Sequence, residues 1–249
     1  MLTVALVGAD GAGKTTVVRE LARVLDMPVR CLYMGTNLEA SGLMLPTTRL
    51  ALARRRRAQR AERAQRMGQG GNPGAGSRTG PSATVTAARP GARTRVARAA
   101  WSAVRTANWI AEECLRQMVI AYHRRRGRAV LCDRHFFPDY YAHDVTRVDP
   151  ARPVASRIHG LFLRRVYPRP ELVVLLDAPA EALHARKPSS GIEFLAQRRD
   201  EYLRVGEAVE RFEIVDATQP LPAVTAAVAD LIRQAYHERL AAGRRRWVP

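Results

Sequence analysis

Short apolar runs alternate with longer amphipathic stretches along most of this chain. The continuous apolar runs predict buried strands over residues 2–7, 29–34, 129–133, 171–177 and 212–215. Apolar positions at helical spacing predict helices over residues 14–25, 95–126, 154–166, 179–187, 192–210 and 221–242. Because strands alternate with helices, we expect an α/β fold with right-handed crossovers and a parallel sheet that helices cover on both faces.

The amphipathic pattern over residues 95–126 also predicts which side chains of that helix face the core. Six positions are core candidates on this basis: Val104, Ile110, Leu115, Met118, Val119 and Tyr122.

The middle of the chain departs from this alternation. Residues 35–49 are loop-like, since a glycine and Pro46 argue against one continuous helix. Residues 54–66 could form a basic helix, whereas residues 67–93 collect Gly, Pro, Ser and Thr and have few large apolar side chains. We therefore expect a single domain over residues 1–249, interrupted at about 54–94 by an Arg-, Gly- and Pro-rich insertion that is largely disordered.

Positive charge is concentrated in that insertion. The net charge is +18, and residues 51–106 hold thirteen arginines and one acid, which supplies +12 of it. Such a surface suits anionic partners, namely nucleic acid, phosphorylated metabolites or an acidic membrane surface, although a solvated arm is an alternative. Only Lys14 and Lys187 are lysines among the 41 basic residues. Retention of Lys14 in a chain that otherwise uses arginine favours a role for its compact ammonium against phosphate oxygens.

The cysteines and the apolar runs bear on location. Cys31, Cys114 and Cys132 are far apart and lack metal-ligand spacing, so we expect small buried residues of a reduced, cytoplasmic protein. No apolar run approaches the roughly 18 residues that a transmembrane helix requires. Residues 1–8 lead directly into a glycine-rich loop and lack the features of a signal peptide.

A phosphate-binding pattern lies between the first predicted strand and the first predicted helix, where residues 8–15 read GADGAGKT. The backbone N–H groups of this loop and the helix N-terminus would hold the phosphates of a nucleoside triphosphate. Lys14 would reach the β- and γ-phosphates, and the Thr15 hydroxyl would ligate Mg²⁺. A glycine turn that binds no nucleotide is the alternative. The predicted nucleotide-binding residues are Asp10, Gly11, Ala12, Gly13, Lys14, Thr15 and Thr16.

Asp133 and Arg134 follow the third predicted strand. A carboxylate at a strand end is suited to hold Mg²⁺ or to accept a proton from an attacking hydroxyl, so Asp133 is both a catalytic and a metal-binding candidate alongside Thr15. The Arg134 guanidinium suits capture of an anionic acceptor, unless the two residues simply pair with each other. The aromatic residues Phe136, Phe137 and Tyr140 could line the acceptor site or pack in the core.

Arg186 and Lys187 precede a polar loop over residues 188–191. Cations on a closing lid would stabilise charge on a transferring phosphoryl group, although two cations also favour a helix C-terminus. Arg198 and Arg199 are weaker candidates, because the acids that follow them could pair with them. The predicted catalytic residues are Lys14, Asp133, Arg186 and Lys187.

Four segments, in order, resemble the thymidylate kinase-like branch of P-loop nucleoside and nucleotide kinases. They are residues 8–16, Asp133-Arg134, residues 170–179 with Glu181, Ala182, Leu183 and Arg186, and residues 215–217. The match covers residues 1–34 and about 128–232. The resemblance implies a three-layer P-loop kinase fold with a five-stranded parallel sheet, ATP with Mg²⁺, and transfer of the γ-phosphoryl to an acceptor beyond Asp133. It also implies that Arg186 lies over the adenine or in the lid.

The departures from this family fall mainly on the acceptor side. The loop after the second strand reads YMGTN at residues 33–37 where the family often has Arg-Glu-Pro-Gly, and HFFPDYY at 135–141 replaces the usual Ser and Gln. Ala12 replaces the P-loop arginine of some members, so the catalytic cation should come from the lid. We expect an ATP-dependent phosphotransferase acting on a dTMP-like nucleoside monophosphate or a related small molecule, with a homodimer possible. The alternative is a nucleotide-dependent regulatory module whose basic insertion contacts nucleic acid or an anionic surface.

Overall fold

The computed structural model describes residues 1–35, 43–68, 92–135 and 154–245. The strands are β1 (Thr3–Val7), β2 (Val29–Tyr33), β3 (Ala129–Asp133), β4 (Leu172–Asp177) and β5 (Phe212–Asp216). The α-helices are α1 (Lys14–Val24), α2 (Pro46–Gly68), α3 (Ala92–Arg125), α4 (Val154–Arg165), α5 (Ala180–Arg186), α6 (Ile192–Val205) and α7 (Leu221–Arg245). Contacts divide the chain into two compact units: the first comprises Met1–Leu43 and Glu113–Pro249, and the second comprises Met44–Glu112.

All five strands of the first unit form one parallel sheet in the order β2-β3-β1-β4-β5. The predicted α/β class and parallel sheet are thereby confirmed. Central β1 is buried along its whole length, which explains why its sequence is continuously apolar rather than alternating. The strands that follow β1 and β3 in sequence, β2 and β4, lie on opposite sides of this pair, so the strand order changes direction between β1 and β3. In the pair itself, Leu6 of β1 lies opposite Asp133 of β3. This pairing brings the segments after β1 and β3 together at one edge.

Helices cover both faces of the sheet. On one face, Val4, Leu6 and Val174 pack against apolar residues of α1 and α7. On the other face, Val173 and Leu175 pack with Tyr202 of α6, and Val130 and Cys132 pack with Ile120 of α3. Burial of both faces accounts for the lack of polar alternation in β3 and β4.

The prediction of a loop over residues 35–49 is wrong at its end, because α2 begins at Pro46. Proline is tolerated at the first helical position, where its missing N–H group would have no helical acceptor and its fixed φ suits the helix. The predicted basic helix over 54–66 is confirmed as part of this longer helix. Most of the insertion predicted to be disordered, residues 69–91, lies outside the described residues.

The core prediction for α3 is wrong for three residues. Val104, Met118 and Tyr122 are exposed, by 61%, 61% and 50% respectively. The residues that α3 buries instead include polar and charged ones, among them Glu113 and Arg116. Because charged groups are buried only when partners compensate them, the choice of face depends on contacts that no helical pattern records. Cys114 lies on the same helix and is exposed, so the expectation of three buried cysteines is wrong for it.

The helix predicted over residues 192–210 is shorter than expected, since α6 ends at Val205 and a single 3₁₀ turn, Gly206–Ala208, follows. Within the described part of the chain, none of the helices combines the length and the apolar character that crossing a bilayer requires.

Candidate phosphate-binding site

Three glycines shape the loop between β1 and α1. Gly8 and Gly11 have φ values of 149° and 91°, and a Cβ atom would lie 2.6 Å from the Leu176 carbonyl oxygen at Gly8 and 2.5 Å from the Leu183 carbonyl oxygen at Gly11. Gly13 has φ of 81° but open space around the position of a Cβ atom. Backbone conformation therefore requires glycine at Gly13, and close approach of neighbouring backbone adds a second requirement at Gly8 and Gly11.

The N-terminus of α1 follows this loop directly and has no side-chain cap. The helix begins at Lys14 after the left-handed Gly13, no side chain caps it, and its first turn contains no acid. The first N–H groups of an α-helix have no acceptor within the helix, and they carry the positive end of its dipole. This terminus is therefore suited to bind an anionic group.

Lys14 lies at the base of the loop and is 6% exposed. Its Nζ atom donates hydrogen bonds to the carbonyl oxygens of Gly8 at 2.7 Å and Ala9 at 2.8 Å. These contacts hold the ammonium against the loop backbone, where a phosphate bound by the N–H groups would be within its reach.

Thr15 and Asp133 are 118 residues apart in sequence but in contact in the fold. The Thr15 hydroxyl donates to Oδ2 of Asp133 at 2.6 Å. Asp133 ends β3 and is 3% exposed, and its other carboxylate oxygen, Oδ1, has no hydrogen-bond partner among the described residues. A buried carboxylate oxygen without a partner is costly unless a ligand completes it. Carboxylate and hydroxyl oxygens are ligands of the kind that Mg²⁺ prefers, so the pair fits that ion.

Asp10 brings together two cations that the sequence placed in different segments. One of its carboxylate oxygens lies 2.6 Å from the Arg134 guanidinium, and the other lies 3.6 Å from Lys187 Nζ. Burial by itself would raise the pKa of Asp10, but the charge and hydrogen bond of Arg134, with the charges of Lys14 and Lys187, outweigh it and hold the pKa below its usual value. Asp10 is therefore an anion that links the glycine loop to both cations.

Arg134 reaches Asp10 through an unusual backbone conformation. Its φ is 66°, in the left-handed region that non-glycine residues seldom adopt, and its N–H group donates to the Leu6 carbonyl at 3.1 Å. Strained conformations of this kind are often found at functional sites.

Arg186 does not join this group. Its guanidinium donates to the carbonyl oxygen of Ala217, just after β5, at 2.8 Å. Of the four residues predicted to be catalytic, the structure thus brings Lys14, Asp133 and Lys187 to the loop, whereas the contact of Arg186 anchors the end of α5 to the segment after β5. The predicted acceptor residues Phe136, Phe137 and Tyr140 lie outside the described residues.

A two-armed ion pair joins the end of β4 to α6. Arg199 donates through Nε and Nη2 to the two carboxylate oxygens of Asp177 at 2.6 and 2.8 Å. Arg198 forms an ion pair with Glu201 at 2.9 Å, so the prediction that these arginines pair with the acids that follow them holds for Arg198. Arg199 pairs with the distant Asp177 instead. The Arg199 contact spans 22 residues, so local charge spacing could not have revealed it.

A group of buried polar side chains lies on α3 and α4 near the end of β3. Glu113 and His159 have no exposed side-chain surface and are 2.8 Å apart, and the fully buried Arg116 donates to the carbonyl oxygen of Met34. His135, which is 1% exposed, packs edge-on against Tyr167 with ring centroids 5.6 Å apart, and burial lowers its pKa to about 3. The apolar pattern of the sequence did not predict this group. The one available signal was the spacing of residues 113, 116 and 123, three polar positions on one face of α3.

Two comparisons with known proteins found no relative of this chain. No protein-family model matches this chain, and a search of curated proteins found no match either. A function can therefore be inferred only from the residues of this chain and their geometry.

Proposed function

We propose that this protein is an ATP- and Mg²⁺-dependent phosphotransferase with a three-layer P-loop kinase fold of the thymidylate kinase-like type. It would transfer the γ-phosphoryl group of ATP to a dTMP-like nucleoside monophosphate or a related small-molecule acceptor. The observation that carries the proposal is the contact between Thr15, the last residue of the glycine-rich pattern, and the buried carboxylate of Asp133.

The phosphate chain of ATP would lie along the glycine loop. The uncapped N–H groups at the start of α1 would bind its phosphate oxygens, and Lys14 would exchange its bonds to the Gly8 and Ala9 carbonyls for bonds to ionised phosphate oxygens. This exchange would be favourable because an ionised phosphate oxygen attracts the ammonium charge of Lys14 more strongly than a neutral carbonyl oxygen does.

Thr15 and Asp133 would hold Mg²⁺, directly or through water, with phosphate oxygens as the remaining ligands. When bound, the ion would neutralise part of the negative charge of the β- and γ-phosphates. The unpartnered Oδ1 of Asp133 is the protein oxygen that would gain most from this ligand, because at present nothing among the described residues compensates its burial.

Arg134 and Lys187 would act on the acceptor and on the transferring group. Both lie beside Asp10, Arg134 at 2.6 Å and Lys187 at 3.6 Å. Lys187 is 53% exposed and lies at the C-terminal end of the short helix α5, so it can move to follow a phosphate. Arg134 is the less exposed of the two and would provide a fixed cation for an anionic acceptor.

The test is acceptor-dependent conversion of ATP to ADP, measured over a panel of nucleosides, nucleoside monophosphates and sugar derivatives with and without Mg²⁺. Lys14→Ala should lower turnover by about a hundredfold or more, because it removes a cation from the developing charge. Arg19→Ala is the matched control, since Arg19 is an exposed cation on the same helix. Turnover by Lys14→Ala at the wild-type rate, or the absence of any Mg²⁺-dependent ATP turnover across the panel, would contradict the proposal.

A further inference from the structure

The second unit is built from α2 and the N-terminal part of α3, which run antiparallel. The N–H group of Leu45 donates to Glu112 at 2.9 Å, and Asn108 donates to the Thr48 hydroxyl at 2.8 Å. From Leu45 to Thr48 the chain moves forward by three residues, while the partner on α3 moves backward by four, from Glu112 to Asn108. At 1.5 Å rise per residue, this register places Leu50 within about one helical turn of Val104 along the pair.

This unit carries most of the positive charge of the protein. Residues 44–112 contain fourteen arginines against Glu62 and Glu112, a net charge of +12 out of the +18 of the whole chain. Side-chain exposure is described for several of these arginines, and the following are exposed: Arg49, Arg54, Arg55, Arg57, Arg60 and Arg105.

Large apolar side chains are exposed beside these arginines. Trp101 is 71% exposed, Val104 is 61% exposed and Leu50 is 55% exposed. Residues three, four or seven apart share a helix face, so Trp101 and Val104 lie on the same side of α3 as Arg105. By the same spacing, Leu50 shares a side of α2 with Arg54 and Arg57.

We propose that the second unit docks the protein onto an anionic lipid bilayer. The arginines would contact headgroup phosphates, and Trp101, Val104 and Leu50 would enter the interface between headgroups and acyl chains. Basic residues that share a helix face with Trp and aliphatic side chains are typical of helices that lie in this interface. Tryptophan in particular favours this depth, since its ring is apolar and its N–H group is polar.

Nucleic acid is a less suitable partner for the same surface. Contacts with the phosphates of a nucleic acid would explain why the surface is rich in arginine. They would not explain the exposed aliphatic side chains of Leu50 and Val104, which contribute nothing to binding a phosphate backbone. A bilayer accommodates the arginines and the apolar side chains together. In the proposed docking, α2 and α3 would lie in the plane of the interface.

The first experiment uses Trp101 as a reporter in the full-length protein. The chain has three tryptophans, Trp101, Trp109 and Trp247, so the double variant Trp109→Phe/Trp247→Phe leaves Trp101 alone. With vesicles that contain phosphatidylglycerol, Trp101 emission should shift to the blue and be quenched by brominated acyl chains. With vesicles of phosphatidylcholine alone, or in high salt, both effects should be lost, because the arginines supply the attraction.

Sedimentation with the same vesicles separates the two contributions. Arg54→Gln and Arg57→Gln should each lower partitioning roughly fivefold, the effect of one arginine near an anionic surface. Trp101→Ser/Val104→Ser should also lower it, whereas Arg19→Gln, an exposed arginine of the first unit, should leave it unchanged. ATP turnover without vesicles should be unaffected by the Trp101 variants, so this proposal can fail while the phosphotransferase assignment stands.

Two outcomes would overturn the inference. One is the absence of binding to anionic vesicles, or binding in which brominated lipids do not quench Trp101. The other is salt-dependent binding to RNA or DNA that outcompetes anionic vesicles and is unaffected by Trp101→Ser/Val104→Ser, which would identify nucleic acid as the partner.

Discussion

Alanine substitutions at Gly11 and Gly13 should both destabilise the protein, but Gly11→Ala should do so by a larger amount. Both residues have positive φ, 91° and 81°, but only Gly11 has backbone within 4 Å of the position of a Cβ atom. The pair therefore separates the cost of backbone conformation from the cost of steric conflict within one loop.

The expected magnitudes follow from these two geometries. An alanine forced into the left-handed region costs about 1–2 kcal/mol, and loss of glycine entropy in the unfolded chain returns about 0.4–1 kcal/mol. Gly13→Ala should thus lower the free energy of unfolding by about 1 kcal/mol. At Gly11 the Cβ atom would lie 2.5 Å from the Leu183 carbonyl oxygen, so backbone must shift. That overpacking adds about 1–3 kcal/mol, for a total of about 3 kcal/mol.

Urea unfolding of both variants measures these differences, and titration with ATP and Mg²⁺ measures their effect on the site. The methyl group of Gly13→Ala would occupy the open space beside the proposed phosphates, so this variant should lose ATP affinity although its stability falls by only about 1 kcal/mol. Equal unfolding free energies for the two variants would refute the steric argument. Unchanged ATP affinity of Gly13→Ala would refute the placement of phosphates at this loop.

Three further predictions concern the carboxylates and the buried histidine. Asp133→Asn should lower Mg²⁺-dependent turnover about a hundredfold. Urea unfolding without Mg²⁺ should show no loss of stability, because the substitution removes a buried carboxylate whose Oδ1 atom has no partner among the described residues. A loss of stability that accompanies the loss of turnover would make Asp133 a structural residue instead. Burial lowers the pKa of His135 to about 3 from 6.5, so between these pH values the unfolded chain binds a proton that the folded chain does not. Stability from this group is complete above about pH 6.5 and should fall by about 1.4 kcal/mol per pH unit below it; unfolding of His135→Gln at several pH values should show a shallower slope, and an identical slope would contradict this origin. Arg199→Lys should lose one of the two hydrogen bonds to Asp177 and lower the free energy of unfolding by only about 1 kcal/mol, because the Arg199 side chain is 39% exposed and solvent screens the pair. A double-mutant cycle with Asp177→Asn should detect the coupling between the two residues, and additive effects would exclude it.

Several features of the first unit were predictable because local pattern and global fold agree in them. The buried strands of the parallel sheet are continuously apolar, and the glycine-rich pattern needs its positive φ values whatever lies around it. Lys14 was identifiable because lysine is so rare in this chain. The end of β3 could be expected near the end of β1, since parallel strands place their carboxyl ends at one edge.

Other features were not predictable because their causes lie far away in sequence. The start of α2 at Pro46 was missed because proline was interpreted as a helix breaker rather than as a first helical residue. The inward face of α3 was missed because Glu113 is compensated by His159, a partner 46 residues away. Helical spacing predicts an apolar inward face, and it has no information about polar partners supplied by another helix.

The sequence by itself determined the alternation of strands and helices, the glycine-rich loop and the presence of Lys14 and Thr15 at its end. These follow from local periodicity and from conformations that only certain residues adopt. Tertiary structure alone decided that Thr15 donates to Asp133, that Asp10 lies between Arg134 and Lys187, and that Arg186 is directed to Ala217 instead. Strand order and crossovers set these contacts, because they choose which distant segments meet at the edge of the sheet.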